Sequence, residues 1–177
     1  MTKEPVGIKD RITLLGFNHK DILERADRLY DAITNLRYEG KAAFGKNMTE
    51  AGKVLEYFNE ELVSHMKLED TIFVYIETHI PKLESVIRIL QAEHKELKVN
   101  LEVLGFLFRE LSEEKNETRR TQTVEKLKDK GTYFVYLLRN HIQAEEESIY
   151  RTIDQELHAD EKKEPQRRID QFEQSKS

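Results

Sequence analysis

Residues 83–111 read LESVIRILQAEHKELKVNLEVLGFLFREL, in which Leu83, Ile87, Leu90, Leu97, Leu101, Leu104, Phe108 and Leu111 recur at alternating steps of four and three, with His94 in the same row. That spacing keeps one face of an α-helix against its neighbours and cannot be laid on a strand, whose side chains alternate every second residue. The stretch therefore predicts a long helix with a histidine in the middle of its oily face.

Three further segments carry the same repeat. Before the quoted stretch, the rows run Ile12, Leu15, His19, Ile22, Ala26, Leu29, Ile33 and then Leu55, Phe58, Leu62, His65, Glu69, Ile72, Ile76. After it, the row runs Val124, Leu127, Gly131, Phe134, Leu138, His141, Glu145. Gly40 to Gly45, Pro81 and Asn116 to Thr118 fall between the rows and mark short connections. Asn47 with Glu50 has the spacing of a capping box that would open the second helix. The fold class is thus all-α, an antiparallel up-down-up-down four-helix bundle over residues 1–153. Residues 154–177 form a charged C-terminal extension, with Pro165 and few apolar side chains, expected as a loosely attached helix or tail.

Composition agrees with this. A chain of 177 residues can bury a core as one domain, and 36% charged against 38% apolar residues with only 7 Gly and 3 Pro suits long amphipathic helices. The absence of cysteine removes disulfides, thiolate metal sites and thiol nucleophiles, so any metal must be held by histidine and carboxylate, and it fits a reducing compartment. No apolar run approaches the roughly 18 residues that span a bilayer, and the start Met-Thr-Lys-Glu-Pro has no signal-type apolar region, so a soluble cytoplasmic protein is expected. Net charge is −5, with both signs interspersed and no basic stripe, which argues against nucleic acid and membrane as partners and names no protein partner.

The chemistry lies where polar groups interrupt the apolar rows. His65-Met-Lys-Leu-Glu69 and His141-Ile-Gln-Ala-Glu145 each put a histidine and a carboxylate on one helix face, one turn apart. One such pair is weak evidence, because glutamate is common; two in matching rows are not. In an up-down bundle, residues on neighbouring helices are level when equally far from the turn between them. Placing His19, the His65/Glu69 pair, His94 and the His141/Glu145 pair at one height requires turns near residue 43, between 80 and 81, and between 118 and 119. The Gly40–Gly45 segment, Pro81 and Thr118 stand there. His19 to His65 spans 46 residues and His94 to His141 spans 47, and His19-Lys-Asp-Ile is similar to His94-Lys-Glu-Leu, so the two halves offer equivalent ligand sets.

Such a set gives each of two metal ions two imidazoles, with Glu69 and Glu145 placed to bridge, and suits iron or manganese, with zinc also possible. The competing reading makes the six residues ordinary polar groups satisfied by hydrogen bonds. A single histidine fits that reading, but two buried glutamates with no permanent counter-charge do not, because an unpaired buried charge costs several kcal/mol. His79, about 21 Å along the helix from His65 at ~1.5 Å per residue, and His158, beyond the last row, are expected at the surface or helix ends. Glu61 and Glu93 are candidates to accept the outer N–H of a ligand histidine, with solvated surface glutamates as the alternative. Leu62, Ile72, Leu90, Leu97 and Leu138 are expected to form an apolar wall that admits a small neutral diatomic more readily than an anion. Tyr75, Tyr133, Tyr136 and Phe134 are expected to pack in the core rather than relay electrons.

On these residues the sequence resembles the hemerythrin-like family, whose pattern of His, His-x-x-x-Glu, His, His-x-x-x-Glu over four helices is filled by His19, His65 with Glu69, His94, and His141 with Glu145. The resemblance covers about residues 10 to 153 and extends to the acidic run Glu145-Glu146-Glu147. It implies a bridged non-haem di-iron centre that meets dioxygen or nitric oxide. Oxygen-carrying members have a further histidine four residues after the third-helix histidine, where this chain has Lys98, so the ligand set is more similar to that of the repair-of-iron-centres proteins. The residues before His19 hold no cysteine, unlike the cysteine-containing N-terminal domain often found on those proteins. Three functions follow as expectations: a di-iron protein that binds or senses dioxygen or nitric oxide; a repair factor or oxidoreductase acting on damaged iron-sulfur centres, nitric oxide or peroxide; and a metal-free helical interaction module.

Overall fold

In the computed structural model the described residues are 9–38 and 40–176, the side chains of 9–18, 37, 38, 40–42, 173 and 176 excepted. They form α1 (Lys9–Tyr38), α2 (Gly40–Tyr57), a π turn (Phe58–Leu62), α3 (Val63–His79), α4 (Glu84–Glu113), α5 (Glu117–Ala144), a second π turn (Glu145–Tyr150), α6 (Arg151–Glu156) and α7 (Lys163–Lys176). All regular structure among the described residues is helical. α1 packs on α2 and α5, α5 on α4, and α4 on α2 and α3, so the long helices close a ring of neighbours.

The apolar rows face inward as their period requires. Ile22, Ala26, Leu29, Leu55, Phe58, Leu97, Leu101, Leu127, Phe134 and Leu138 belong to one buried cluster. Ile72, Phe73, Ile76, Leu83, Ile87, Leu90 and Ile149 belong to a second. Ile12 and Leu15 of the first row lie outside the described side chains. Two glycines permit close approach: a Cβ at Gly131 on α5 would run into the Ile33 δ-methyl on α1, and a Cβ at Gly52 would meet the Phe108 ring at 2.9 Å.

Several expectations need correction. The first connection is not Gly40 to Gly45: α1 runs to Tyr38 and α2 begins at Gly40, so Gly40 to Gly45 are helical. A glycine weakens a helix by about 1 kcal/mol but does not end it, and buried Ala51, Val54 and Leu55 hold α2 against the core. Asn47 and Glu50 therefore sit inside α2 and form no capping box. The other connections fall close to expectation. Ile80 leaves the helical region and Pro81 opens a 3₁₀ turn to Leu83. Asn116 caps α5, its side-chain oxygen accepting from the Arg119 N–H at 3.0 Å.

Residues after 153 are docked rather than loose. Leu157 and Ile169 join the second cluster, Pro165 is buried, Arg168 donates to the Thr71 carbonyl at 2.6 Å, and the Tyr75 hydroxyl donates to the Glu161 carbonyl at 2.8 Å. Few apolar side chains suffice here because α3 leaves Phe73 and Ile76 to be covered. Tyr133 and Tyr136 also depart from expectation, lying exposed on α5, whereas Phe134 is in the core and Tyr75 packs against the second cluster. No helix among the described residues is long and apolar enough to cross a membrane.

Candidate metal centre

Between the two apolar clusters lies a polar layer that contains all six predicted residues. His19 comes from α1, His65 and Glu69 from α3, His94 from α4, His141 from the end of α5 and Glu145 from the start of the second π turn, and all six are buried. The structure thus brings together every side chain that the rows placed at one height. His79, at the end of α3, stacks on Tyr75 and bonds the Tyr75 carbonyl, and both His79 and His158 are exposed and away from the layer.

The outer ring nitrogens set the direction of the inner ones. His94 Nδ1 lies 2.8 Å from Asp70 Oδ1, His141 Nδ1 lies 2.8 Å from Glu93 Oε2, and His19 Nδ1 lies 3.3 Å from Glu146 Oε1. An ionised carboxylate can only accept, so each Nδ1 carries a proton and each Nε2 faces into the layer. Glu93 is thus an outer partner, as its position suggests, but of His141 across the helix pair rather than of its neighbour His94. Asp70 and Glu146 escaped the sequence reading. Each directly follows a layer glutamate, a hint that spacing alone does not convert into a partner. Glu61 is exposed on the first π turn.

The inner atoms fall into two groups joined by the carboxylates. His19 Nε2 and His65 Nε2 are 3.1 Å apart, with Glu69 Oε1 at 3.3 and 2.9 Å from them and Glu145 Oε2 at 3.3 Å from His19. On the other side Glu145 Oε1 lies 3.0 Å from His141 Nε2 and 3.6 Å from His94 Nε2, and Glu69 Oε2 lies 3.4 Å from His94 Nε2. Each glutamate therefore offers one oxygen to each histidine pair. His19, His65 and Glu69 have donor atoms close enough together to hold one cation, and Glu69, His94, His141 and Glu145 another.

Glu69 Oε2, His94 Nε2, His141 Nε2 and both Glu145 oxygens are buried without a hydrogen-bond partner. Leaving such groups unmade costs about 1–3 kcal/mol each, more for charged groups, and five of them converging on one layer is what a cation's ligands look like without their cation. The donor set therefore fits a metal pair. The electrostatics point the same way. Burial works to lower the pKa of His19, but Glu145 and Glu69 overcome it and raise it to about 10. Burial is likewise outweighed at His94, where Asp70, Glu145 and Glu69 raise it to about 11. Burial and the neighbouring Glu69 push Glu145 up, yet His141, His19 and His94 hold it down at about 2. Two carboxylates thus draw positive charge into the layer, as protons on the imidazoles or as a cation held by the same lone pairs.

One residue of the layer was not foreseen as part of it. The Tyr150 hydroxyl donates to Glu69 Oε1 at 2.8 Å, with its ring 5.7 Å from that of His19. Burial and then Glu69 push its pKa well above the usual phenol range, so it stays a donor. Tyr150 lies five positions after Glu145, too far on for one face of an α-helix; the π turn, closing bonds five positions apart, brings them to the same side.

Fold and layer together define a class, an all-helical protein with a buried histidine and glutamate layer suited to cations. Residues 10–153 match the hemerythrin HHE cation-binding domain, and the chain belongs to that family. No curated protein matches the sequence.

Proposed function

We propose that the chain is a di-iron protein of antiparallel up-down-up-down four-helix design, with His19, His65, Glu69, His94, His141 and Glu145 as ligands, that binds or senses dioxygen or nitric oxide. The bundle spans residues 1–153 and carries 154–177 as an appended segment. The observation that supports this most is the division of each glutamate between the two histidine pairs, one oxygen to each. A single metal ion would not call for that division. Imidazole with carboxylate suits iron, and manganese or zinc satisfies the same donors.

Two irons held there would supply open coordination positions and electron exchange for a small ligand. The chain's own residues do the rest. Asp70, Glu93 and Glu146 fix the imidazole tautomers. Leu62, Ile72, Leu90, Leu97 and Leu138, each one turn from a ligand, are buried and make the approach apolar, which favours a neutral diatomic over an anion. Tyr150 fixes the Glu69 carboxylate through Oε1. The test is metal content of protein prepared without air from iron-supplemented cells, with visible spectra before and after admitting dioxygen or nitric oxide. Two irons per chain and ligand-dependent bands are the expected result. A colourless protein lacking stoichiometric metal would overturn the reading in favour of a helical interaction module.

A further inference from the structure

The buried row of α4 accounts for one face of that helix, and the opposite face is not polar throughout. Ile89, Ala92, Glu96, Val99, Val103 and Phe106 recur at alternating steps of three and four on the side away from the core. All six are exposed, Ile89, Val99 and Phe106 by 59%, 58% and 60%. Exposed apolar residues scattered singly are ordinary, but a row at this spacing is the seam of a two-stranded coiled coil, which one helix cannot complete alone. Glu96 interrupts the seam, and its carboxylate is drawn aside by the Tyr133 hydroxyl of α5, which donates to it.

The order of the row says what covers it. Against a second copy running antiparallel about a two-fold axis between residues 97 and 98, Ile89 meets Phe106, Ala92 meets Val103 and Glu96 meets Val99. Small then faces large, and no like charges meet within the row. The parallel arrangement would set Ala92 on Ala92 and Glu96 on Glu96. The exposed charges along one flank agree: in the antiparallel register Lys95 faces Glu102 of the second copy, twice by symmetry. Arg88 would face Arg109, but Arg88 is held by Glu84 and Glu77 of its own chain.

We infer that the outer face of α4 is an interface between two copies of this chain, packed antiparallel across Ile89 to Phe106. At ~1.5 Å per residue the row is about 25 Å long. One helix face of that length is smaller than the surfaces obligate dimers bury, so the pair should form on the order of 10 μM and part on dilution. The face lies opposite His94 on α4, so pairing leaves the polar layer untouched and does not depend on what that layer binds.

The experiment is sedimentation velocity of the full chain from about 1 μM to about 200 μM, where a mid-micromolar dimer is half formed. The mass should rise from that of one chain, 21.0 kDa, to twice that value. Val99→Asp enters the centre of the seam from both copies and should weaken pairing about 100-fold or more. Lys95→Glu or Glu102→Lys alone should weaken it about 10-fold, and the double variant should restore it. An equimolar mixture of the two single variants should pair more tightly than either alone. Circular dichroism and iron content, expected unchanged, separate lost pairing from lost folding. A chain that stays monomeric throughout would overturn the inference and leave the row to a different protein or a lipid surface. Pairing that survives Val99→Asp would overturn it by placing the contact on another face, and a double variant that fails to restore pairing would overturn the antiparallel register.

Discussion

The polar layer and the apolar clusters on either side of it are equally hidden from water, yet they are held by different forces. Phe58 and Phe134, with ring centroids 5.5 Å apart, satisfy each other by contact alone, and the cluster around them has no polar atom to leave unpaired. His94 Nε2 and the Glu145 oxygens are as deeply buried and have no hydrogen-bond partner. Burial stabilises the first group at about 25 cal/mol per Å² of apolar surface and destabilises the second unless a cation completes it. Substitutions in the clusters should therefore act on folding whatever the metal content, and substitutions in the layer should act through the metal.

Glu145→Ala should show the largest effect. It removes one oxygen from each proposed position, so iron content should fall from two per chain to below one. Chelator treatment of the unaltered protein should lower its melting temperature, because a ligand at a thousandfold its Kd adds about 4 kcal/mol, and Glu145→Ala should abolish most of that difference. Unchanged iron content by elemental analysis would break the contrast between layer and clusters. Leu138→Ala, one turn from His141 but apolar, should cost about 2–5 kcal/mol in denaturant titrations of loaded and chelator-treated protein alike. A cost confined to the loaded form would mean that Leu138 belongs to the layer in function.

Smaller changes sharpen the comparison. Gly131→Ala forces the buried Ile33 δ-methyl to turn away, and the resulting crowding should destabilise by about 1–3 kcal/mol with iron content unchanged. Arg168→Ala removes the bond to the Thr71 carbonyl from a partly exposed side chain. Its cost should stay below about 1 kcal/mol, with faster amide exchange in α7 as the clearest sign. If amide exchange in α7 were unaltered, the docking of α7 would rest on its apolar contacts, Ile169 and Phe172 among them.

The six layer residues were legible because helix period and turn position are both one-dimensional: His65 and Glu69 share a face by spacing, and Pro81 and Asn116 fix the height at which helices meet. The outer partners were not legible to the same degree. Asp70 and Glu146 point about 100° around the helix from the glutamates they follow, at ~3.6 residues per turn, and which histidine they reach depends on the neighbouring helix. Glu93 shows the same limit, since its role could be guessed but its partner, His141, could not. Tyr150 was hidden by a π turn that no residue type announces. The first connection was misplaced because Gly40 and Gly45 look like a loop, while the apolar residues that carry α2 through them are felt only once the helix packs.

By itself the sequence determined the helices, their inward faces and the histidines and glutamates that share one height, because each follows from spacing along a chain whose rise and turn are fixed. The tertiary structure alone decided which oxygen serves which histidine pair, which acids stand behind the imidazoles, where Tyr150 bonds and how α6 and α7 dock. These depend on distances between side chains from different helices, and a shift of one residue in a turn or one extra residue in a π turn changes them without altering the pattern along any single helix.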